Sequence, residues 1–317
     1  MTVSARPYLH RRSAHRSGLL CLLLCLTAPA AAGVFGDGDP ANGPEDDRRG
    51  ISDGQGEAPG NEWFRSAGTI YCDGAVRGSA TLLDLRALAP DQAGAVVVTA
   101  AHVLYDLDRG QPWTNCAFHH LGLGQLPGYQ APLRRDRTLA GAFDPAADPS
   151  AADSGKEDWA FTWLGPDWRP PGGAPGLVPA TALSVADGTG RLGLVAWDRR
   201  RGEVSVALGC RAIFSGPGDL GGGAWPGQLL DDCDSDTGAS GGAIVVGRGS
   251  RSLLIGIRGG THWDRERWPA DGFPAGPPDG TRWDPARHTN YARALDQRML
   301  EELGAWLRRL PKPSPGP

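Results

Sequence analysis

Lysine is nearly missing. Only Lys156 and Lys312 occur in 317 residues, so almost all positive charge is arginine. That skew reflects base composition rather than chemistry. The formal net charge of −4 leaves no broad positive field to neutralise phosphates, which excludes a conventional nucleic-acid binder. Apart from Leu19–Leu26 there is no long apolar run, and that one is too short to span a bilayer. No H-E-x-x-H or C-x-x-C spacing occurs. The adjacent pair His119-His120 points to opposite faces of a strand, so no catalytic metal and no other cofactor is expected. Glycine (47) and proline (27) are plentiful but follow no strict repeat, which excludes a collagen-like chain. No segment recurs at a solenoid period. What is present is 40% hydrophobic and 21% charged residues, enough for a buried core cut by many turns.

Residues 1–32 fall into three parts. Arg6, Arg11, Arg12 and Arg16 give a positive start, Leu19–Leu26 an apolar run, and Ala28-Pro29-Ala30-Ala31-Ala32 a small-residue end. This is the pattern of a secretory signal peptide, with cleavage expected near Ala30 or Ala32 and a secreted or periplasmic product. Its loss removes four arginines and no acids, leaving a more acidic chain without Cys21 and Cys25. Cys72, Cys116, Cys210 and Cys233 remain. An even count in an exported chain points to two disulfides. Three connectivities satisfy four cysteines. Cys72–Cys116 with Cys210–Cys233 is favoured because each pair goes with one motif below, and unpaired buried thiols are the alternative. Residues 33–62, rich in Gly, Asp, Pro and Glu, read as a disordered linker or propeptide. Residues 311–317 read as a disordered tail.

Between these ends lie short β-type runs: Ala67–Cys72, Ser79–Leu83, Ala95–Ala100, Trp159–Trp163, Arg191–Trp197, Glu203–Ala207, Arg211–Phe214, Gly242–Val246 and Leu253–Ile257. Many short strands with turn signals predict an all-β sandwich or barrel. One helix, roughly Ala292–Leu310, closes the folded region, with Leu295, Met299, Leu303, Trp306 and Leu310 recurring at steps of three and four. Trp263 to Thr289 reads as a long loop.

Three residues stand out chemically. Ser240 sits in Asp236-Thr237-Gly238-Ala239-Ser240-Gly241-Gly242, where small neighbours let a tight turn expose its hydroxyl. The N–H groups of Gly238 and Ser240 can converge there as an oxyanion hole. His102 ends the run Val96-Val97-Val98-Thr99-Ala100-Ala101, as if a core strand delivered it to a cleft. Asp158 leads directly into an apolar strand, where a buried carboxylate needs a partner such as an imidazole N–H. Each alone has a plain structural reading: a glycine-rich turn, a satisfied core histidine, a surface acid starting a strand. Together they are more specific, because a serine hydroxyl needs a base within reach and the base needs a group that fixes its tautomer.

The chain order His102, Asp158, Ser240 is that of chymotrypsin and not of subtilisin or the α/β-hydrolases. Thr99-Ala100-Ala101-His102, Asp158-Trp159-Ala160-Phe161 and Gly238-Ala239-Ser240-Gly241-Gly242 closely resemble the three motifs of trypsin/chymotrypsin-like serine peptidases. The stretch from Ala67 to Ile257 fits that family's spacing. The resemblance implies a peptidase domain over residues 63–310, built of two six-stranded Greek-key β-barrels and a C-terminal helix. It implies that Ser240 attacks the carbonyl, His102 shuttles the proton, Asp158 orients His102, and Gly238 and Ser240 hold the oxyanion. The implied activity is that of a monomeric serine endopeptidase on protein or peptide substrates. A catalytically silent binding module on the same fold is the alternative, and an esterase-like acyl hydrolase a third reading.

The sequence departs from the family in places. Ala239 precedes the nucleophile where animal digestive enzymes carry an aspartate, and no Ile-Val-Gly-Gly start follows the linker. The pattern is closer to the bacterial glutamyl-endopeptidase-like branch, and any control by a propeptide would act by occlusion. Asp234, six residues before the nucleophile, with Ser235 beside it, falls at the floor of the family's specificity pocket. Arg258 falls where the glutamyl branch places a histidine. These clues point opposite ways, and Asp231, Asp232, Asp234 and Asp236 read equally well as a solvated acidic loop.

Overall fold

The dipeptide Asp73-Gly74 sets the first hairpin. Both residues have positive φ, 47° and 86°, as a two-residue type I′ turn requires. It joins β1 (Ala67–Cys72) to β2 (Ala75–Leu83). The computed structural model describes residues 33–36, 48–50, 62–92, 94–120, 128–147, 155–172, 174–180, 191–215, 227–248, 251–263 and 280–311. The signal-peptide reading of residues 1–32 lies outside them, as does 312–317 of the tail.

The first sheet continues with β3 (Ala95–Thr99), β4 (Cys116–His120), β5 (Tyr129–Pro132), β6 (Thr138–Ala140) and β7 (Ala160–Gly165). Its order is β6-β7-β3-β2-β1-β4-β5. Strand β3 is the β-branched run read from the sequence. It is buried throughout and paired on both sides, Val98 facing Thr81 on β2 and Phe161 on β7. Cys72 and Cys116 are direct cross-strand partners on β1 and β4, and the first disulfide joins them.

The second sheet holds β8 (Arg191–Asp198), β9 (Glu203–Leu208), β10 (Ala212–Ser215), β11 (Gln228–Asp231), β12 (Ala243–Arg248), β13 (Arg251–Trp263) and β14 (His288–Ala294). The order is β10-β11-β14-β13-β12-β8-β9. Two-residue pieces add to it: Arg49–Gly50 on the β9 edge, and Gly176–Leu177 parallel to β13. The sheets thus have seven and nine strands, short edge pieces raising the count above six each. The second disulfide, Cys210–Cys233, ties the segment after β9 to the segment after β11.

Alternation along the second sheet, shifted by a bulge of β13 opposite Ile244 and Val245, separates two apolar layers. Val195, Val245 and Ile257 join Leu82, Val98 and Phe161 of the first sheet in the larger cluster. Leu194, Ile244 and Ile255 form the smaller one with Leu229 and Ala292. The helix α1 (Gln297–Leu307) seals the larger core through Met299, Leu303 and Leu307. It starts later than its apolar spacing predicts because Ala292 and Ala294 pair in β14 with Arg258 and Gly256. Asp296 then caps it, accepting from the Met299 amide at 2.8 Å. Asp296→Ala should cost about 1 kcal/mol of unfolding free energy, read from urea titration. Among the described residues no helix is long and apolar enough to cross a membrane.

Part of the region read as a linker is docked. Phe35–Gly36 pairs in parallel with Thr281–Arg282, and Val34 and Phe35 are buried. The pairing of Thr281–Arg282 and the strand start at His288 also structure two parts of the stretch read as a loop. Residues 264–279 lie outside the described residues.

Candidate active site

Register alone brings two of the three residues together. Ala160 on β7 opposes Thr99 on β3. Extending that antiparallel register by two residues sets Asp158 beside the short 3-10 turn Ala101–Leu104 that carries His102. Asp158 is buried and grips His102 with both oxygens. Oδ2 lies 2.7 Å from His102 Nδ1, and Oδ1 accepts the His102 backbone N–H at 2.8 Å. Burial opposes charging of the His102 ring, but the charge of Asp158 and its hydrogen bond together outweigh that and raise the imidazole above its ordinary 6.5.

Ser240 arrives from the second sheet, on the turn before β12. Gly241, at φ 83°, makes the approach: a Cβ there would strike the Ser79 carbonyl and the Thr99 hydroxyl. The turn that carries Ser240 thus rests against the end of the strand that delivers His102. Ser79 on β2 ties the two sheets. Its N–H donates to the Ser240 carbonyl at 2.7 Å and its hydroxyl to the Gly238 carbonyl at 2.8 Å. The same hydroxyl accepts from the Trp197 amide at 2.7 Å. Gly238 has φ 98°, and a Cβ on it would meet the Trp197 ring at 2.7 Å. Among the described residues, neither the Gly238 nor the Ser240 N–H finds an acceptor within the protein. Two backbone donors two residues apart, free on one turn, are suited to hold an anion. The Ser240 hydroxyl donates to the Gly259 carbonyl at 3.2 Å, and no Ser240–His102 hydrogen bond closes among the described residues.

The residues read as a specificity pocket are all buried. Asp234 Oδ1 accepts the Phe35 N–H at 2.8 Å, and the Ser235 N–H donates to the Gly33 carbonyl at 3.1 Å. Arg258 is 1% exposed, and its guanidinium forks onto Asp231 at 2.6 and 3.0 Å. The acidic loop is not solvated. Asp231 pairs with Arg258, Asp232 with Arg211, and Asp236 with Arg200. Among the described residues no cluster of three metal-ligating side chains occurs.

Neither a protein-family model nor a curated protein matches the sequence. Among solved structures, a Glu endopeptidase in complex with MPD aligns with a TM-score of 0.50 at 11% identity. The alignment covers 87% of this chain and 100% of that one. The fold is chymotrypsin-like. Protease Anisep from Arthrobacter nicotinovorans gives a TM-score of 0.48 at 16% identity, covering 77% of this chain and 96% of its own.

In this chymotrypsin-like frame, sequence reading missed Ser79 and Gly259. Ser79 stands in an unremarkable Gly78-Ser79-Ala80 strand, and nothing local signals a contact 161 positions away. Gly259 follows Arg258 in the chain, and its carbonyl's bond to the Ser240 hydroxyl depends on pairing that only the fold creates.

Proposed function

We propose that this protein is an exported serine endopeptidase that cleaves peptide bonds through His102, Asp158 and Ser240. The observation that carries the reading is the two-oxygen grip of Asp158 on His102, which leaves Nε2 as the ring nitrogen able to act as base. Ser240 Oγ adds to the scissile carbonyl carbon while its proton passes to His102 Nε2. The oxyanion gathers the Gly238 and Ser240 N–H groups. As the C–N bond breaks, His102 returns the proton to the leaving amine. Water then repeats the sequence on the acyl-enzyme, with His102 again taking and returning a proton. Asp158 holds the ring in place and stabilises the imidazolium.

The bond from Ser240 Oγ to the Gly259 carbonyl favours a second reading, a catalytically silent module on the same fold. The two differ in whether the hydroxyl can leave Gly259 for His102. Labelling of the chain lacking residues 1–32 by a fluorophosphonate decides between them. Covalent labelling supports the enzyme, and a folded protein that stays unlabelled supports the silent module. Ester and peptide substrates tested side by side then separate an endopeptidase from an esterase.

The pH dependence has a fixed sign. The base must be neutral to accept a proton, and its folded-state pKa is raised. The acid limb of kcat/KM should therefore have its midpoint above 6.5, measured on an activated ester. The linked stability runs the other way. The charged His102–Asp158 pair contributes fully below the ordinary histidine pKa, and its contribution is lost as pH rises through the folded-state value.

A further inference from the structure

The loop leading to Ser240 is braced by chain that precedes both sheets. Arg49–Gly50 pairs with Val206 and Ser205 on the β9 edge, and this turns Arg48 inward. Arg48 is 3% exposed. Its Nη1 lies 3.0 Å from Asp198 Oδ2 and 3.7 Å from Asp236 Oδ2. Both acids are buried, Asp198 at the end of β8 and Asp236 at the start of the nucleophile loop. Two neighbouring buried carboxylates repel each other unless a cation sits between them. Arg200 and Arg201 also reach them, but these side chains are 57% and 36% exposed, so water screens their charges. Arg48 is the buried counter-ion of the pair. It is fixed in turn by its own carbonyl, which accepts from Arg201 Nη2 at 3.1 Å.

Asp236 in turn shapes the loop. Its Oδ1 accepts the Thr237 N–H at 2.6 Å, and its carbonyl accepts the Ala239 N–H at 2.9 Å. These bonds fold Asp236-Thr237-Gly238-Ala239 into the turn whose Gly238 and Ser240 N–H groups have no acceptor among the described residues. The Thr237 carbonyl is held from the other side by the Arg199 N–H at 3.3 Å, one residue from Asp198. The Arg48 charge therefore bears on both walls of the turn.

We propose that Arg48 is a positioning residue for the oxyanion turn, acting through Asp236 and Asp198, and that the segment carrying it is required for activity rather than inhibitory. This rests on the serine-hydrolase reading above. An internal arginine supplies the cation, so no new chain end is needed to order the turn. Cleavage that releases the chain through Arg48 should lower activity, the reverse of what removal of an occluding propeptide would do.

The test uses the exported chain and its Arg48→Ala, Arg48→Gln and Arg48→Lys variants. Two quantities are measured: the rate of fluorophosphonate labelling, and kcat and KM on p-nitrophenyl butyrate, which needs no specificity pocket. Arg48→Ala should lower kcat and the labelling rate by about a hundredfold, the size of losing one oxyanion donor, with KM within about twofold. Millimolar guanidinium should restore part of the loss. If Arg48→Ala does not fold, Gln and Lys decide: a slow Gln variant beside a fast Lys variant supports the proposal. Equal rates in those two variants overturn it, as does wild-type kcat in Arg48→Ala. An unreactive wild type overturns the serine-hydrolase reading and this proposal with it. A reactive wild type with equally reactive Arg48 variants overturns this proposal alone.

Discussion

Ser240→Ala is expected to lower kcat by on the order of 10⁶ while leaving the folded protein intact. In the proposed mechanism the loss is large because the hydroxyl oxygen forms the covalent bond to the substrate. The structural cost is small. Among the described residues the side chain makes one hydrogen bond, to the Gly259 carbonyl, and the backbone anchor from Ser79 to the Ser240 carbonyl survives the change. Thermal unfolding of the variant should therefore nearly overlay the wild type. Members of a triad act as a unit, so adding His102→Ala to Ser240→Ala should slow the reaction no further. In the proposed mechanism what persists comes from the Gly238 and Ser240 N–H groups, which have no acceptor among the described residues and can still polarise a carbonyl. The check is steady-state kinetics on an activated ester with fluorophosphonate labelling alongside. A loss of less than tenfold, or labelling that persists in the variant, would remove Ser240 as the nucleophile.

The parts of this site written in short-range pattern were legible. The run Val96-Val97-Val98 reads as a buried strand, and it delivers His102 from its end. The aromatic run after Asp158 reads as a second strand, and the pairing of the two in the fold places Asp158 at His102. Polar strands were hidden. His288–Ala294 shows no apolar alternation, yet it is buried along its whole length. Its polar side chains are matched by distant partners: Asn290 donates to the carbonyls of Gly33 and Cys233, and Arg293 to that of Gly227. The solvated reading of the acidic loop stood beside the pocket reading for the same reason. The arginines that neutralise Asp231, Asp232 and Asp236 lie between 20 and 190 positions away, a separation that no local window sees. Composition likewise marked residues 33–62 as unstructured. Phe35 and Arg48 are buried beside distant partners, Thr281 and Asp234 for the one, Asp198 and Asp236 for the other, which the folded chain supplies.

Arg258 is where sequence position and structural environment diverge most, and its removal should have the largest effect on stability. Truncating it to alanine leaves Asp231, fully buried, without its bidentate partner. Breaking such a pair costs about 3–5 kcal/mol, a large fraction of the about 5–15 kcal/mol that holds a typical domain folded. The damage is not confined to the pair. Asp231 Oδ1 also accepts the Cys233 N–H at 3.0 Å, at the root of the second disulfide. The Arg258 backbone meets the nucleophile turn, donating to the Gly242 carbonyl and accepting from the Gly241 N–H, each at 2.8 Å. Guanidinium denaturation should show a much lower midpoint for Arg258→Ala and for Asp231→Ala. The double variant Arg258→Met/Asp231→Leu should regain most of the loss, because apolar side chains of similar volume need no counter-charge in that space. A residue that reads substrate charge behaves differently. Its truncation would change which substrates are cleaved while barely moving the denaturation midpoint, and a second change at Asp231 would bring no recovery. The double variant therefore separates a guanidinium that holds β13 to β11 from one that faces a substrate side chain.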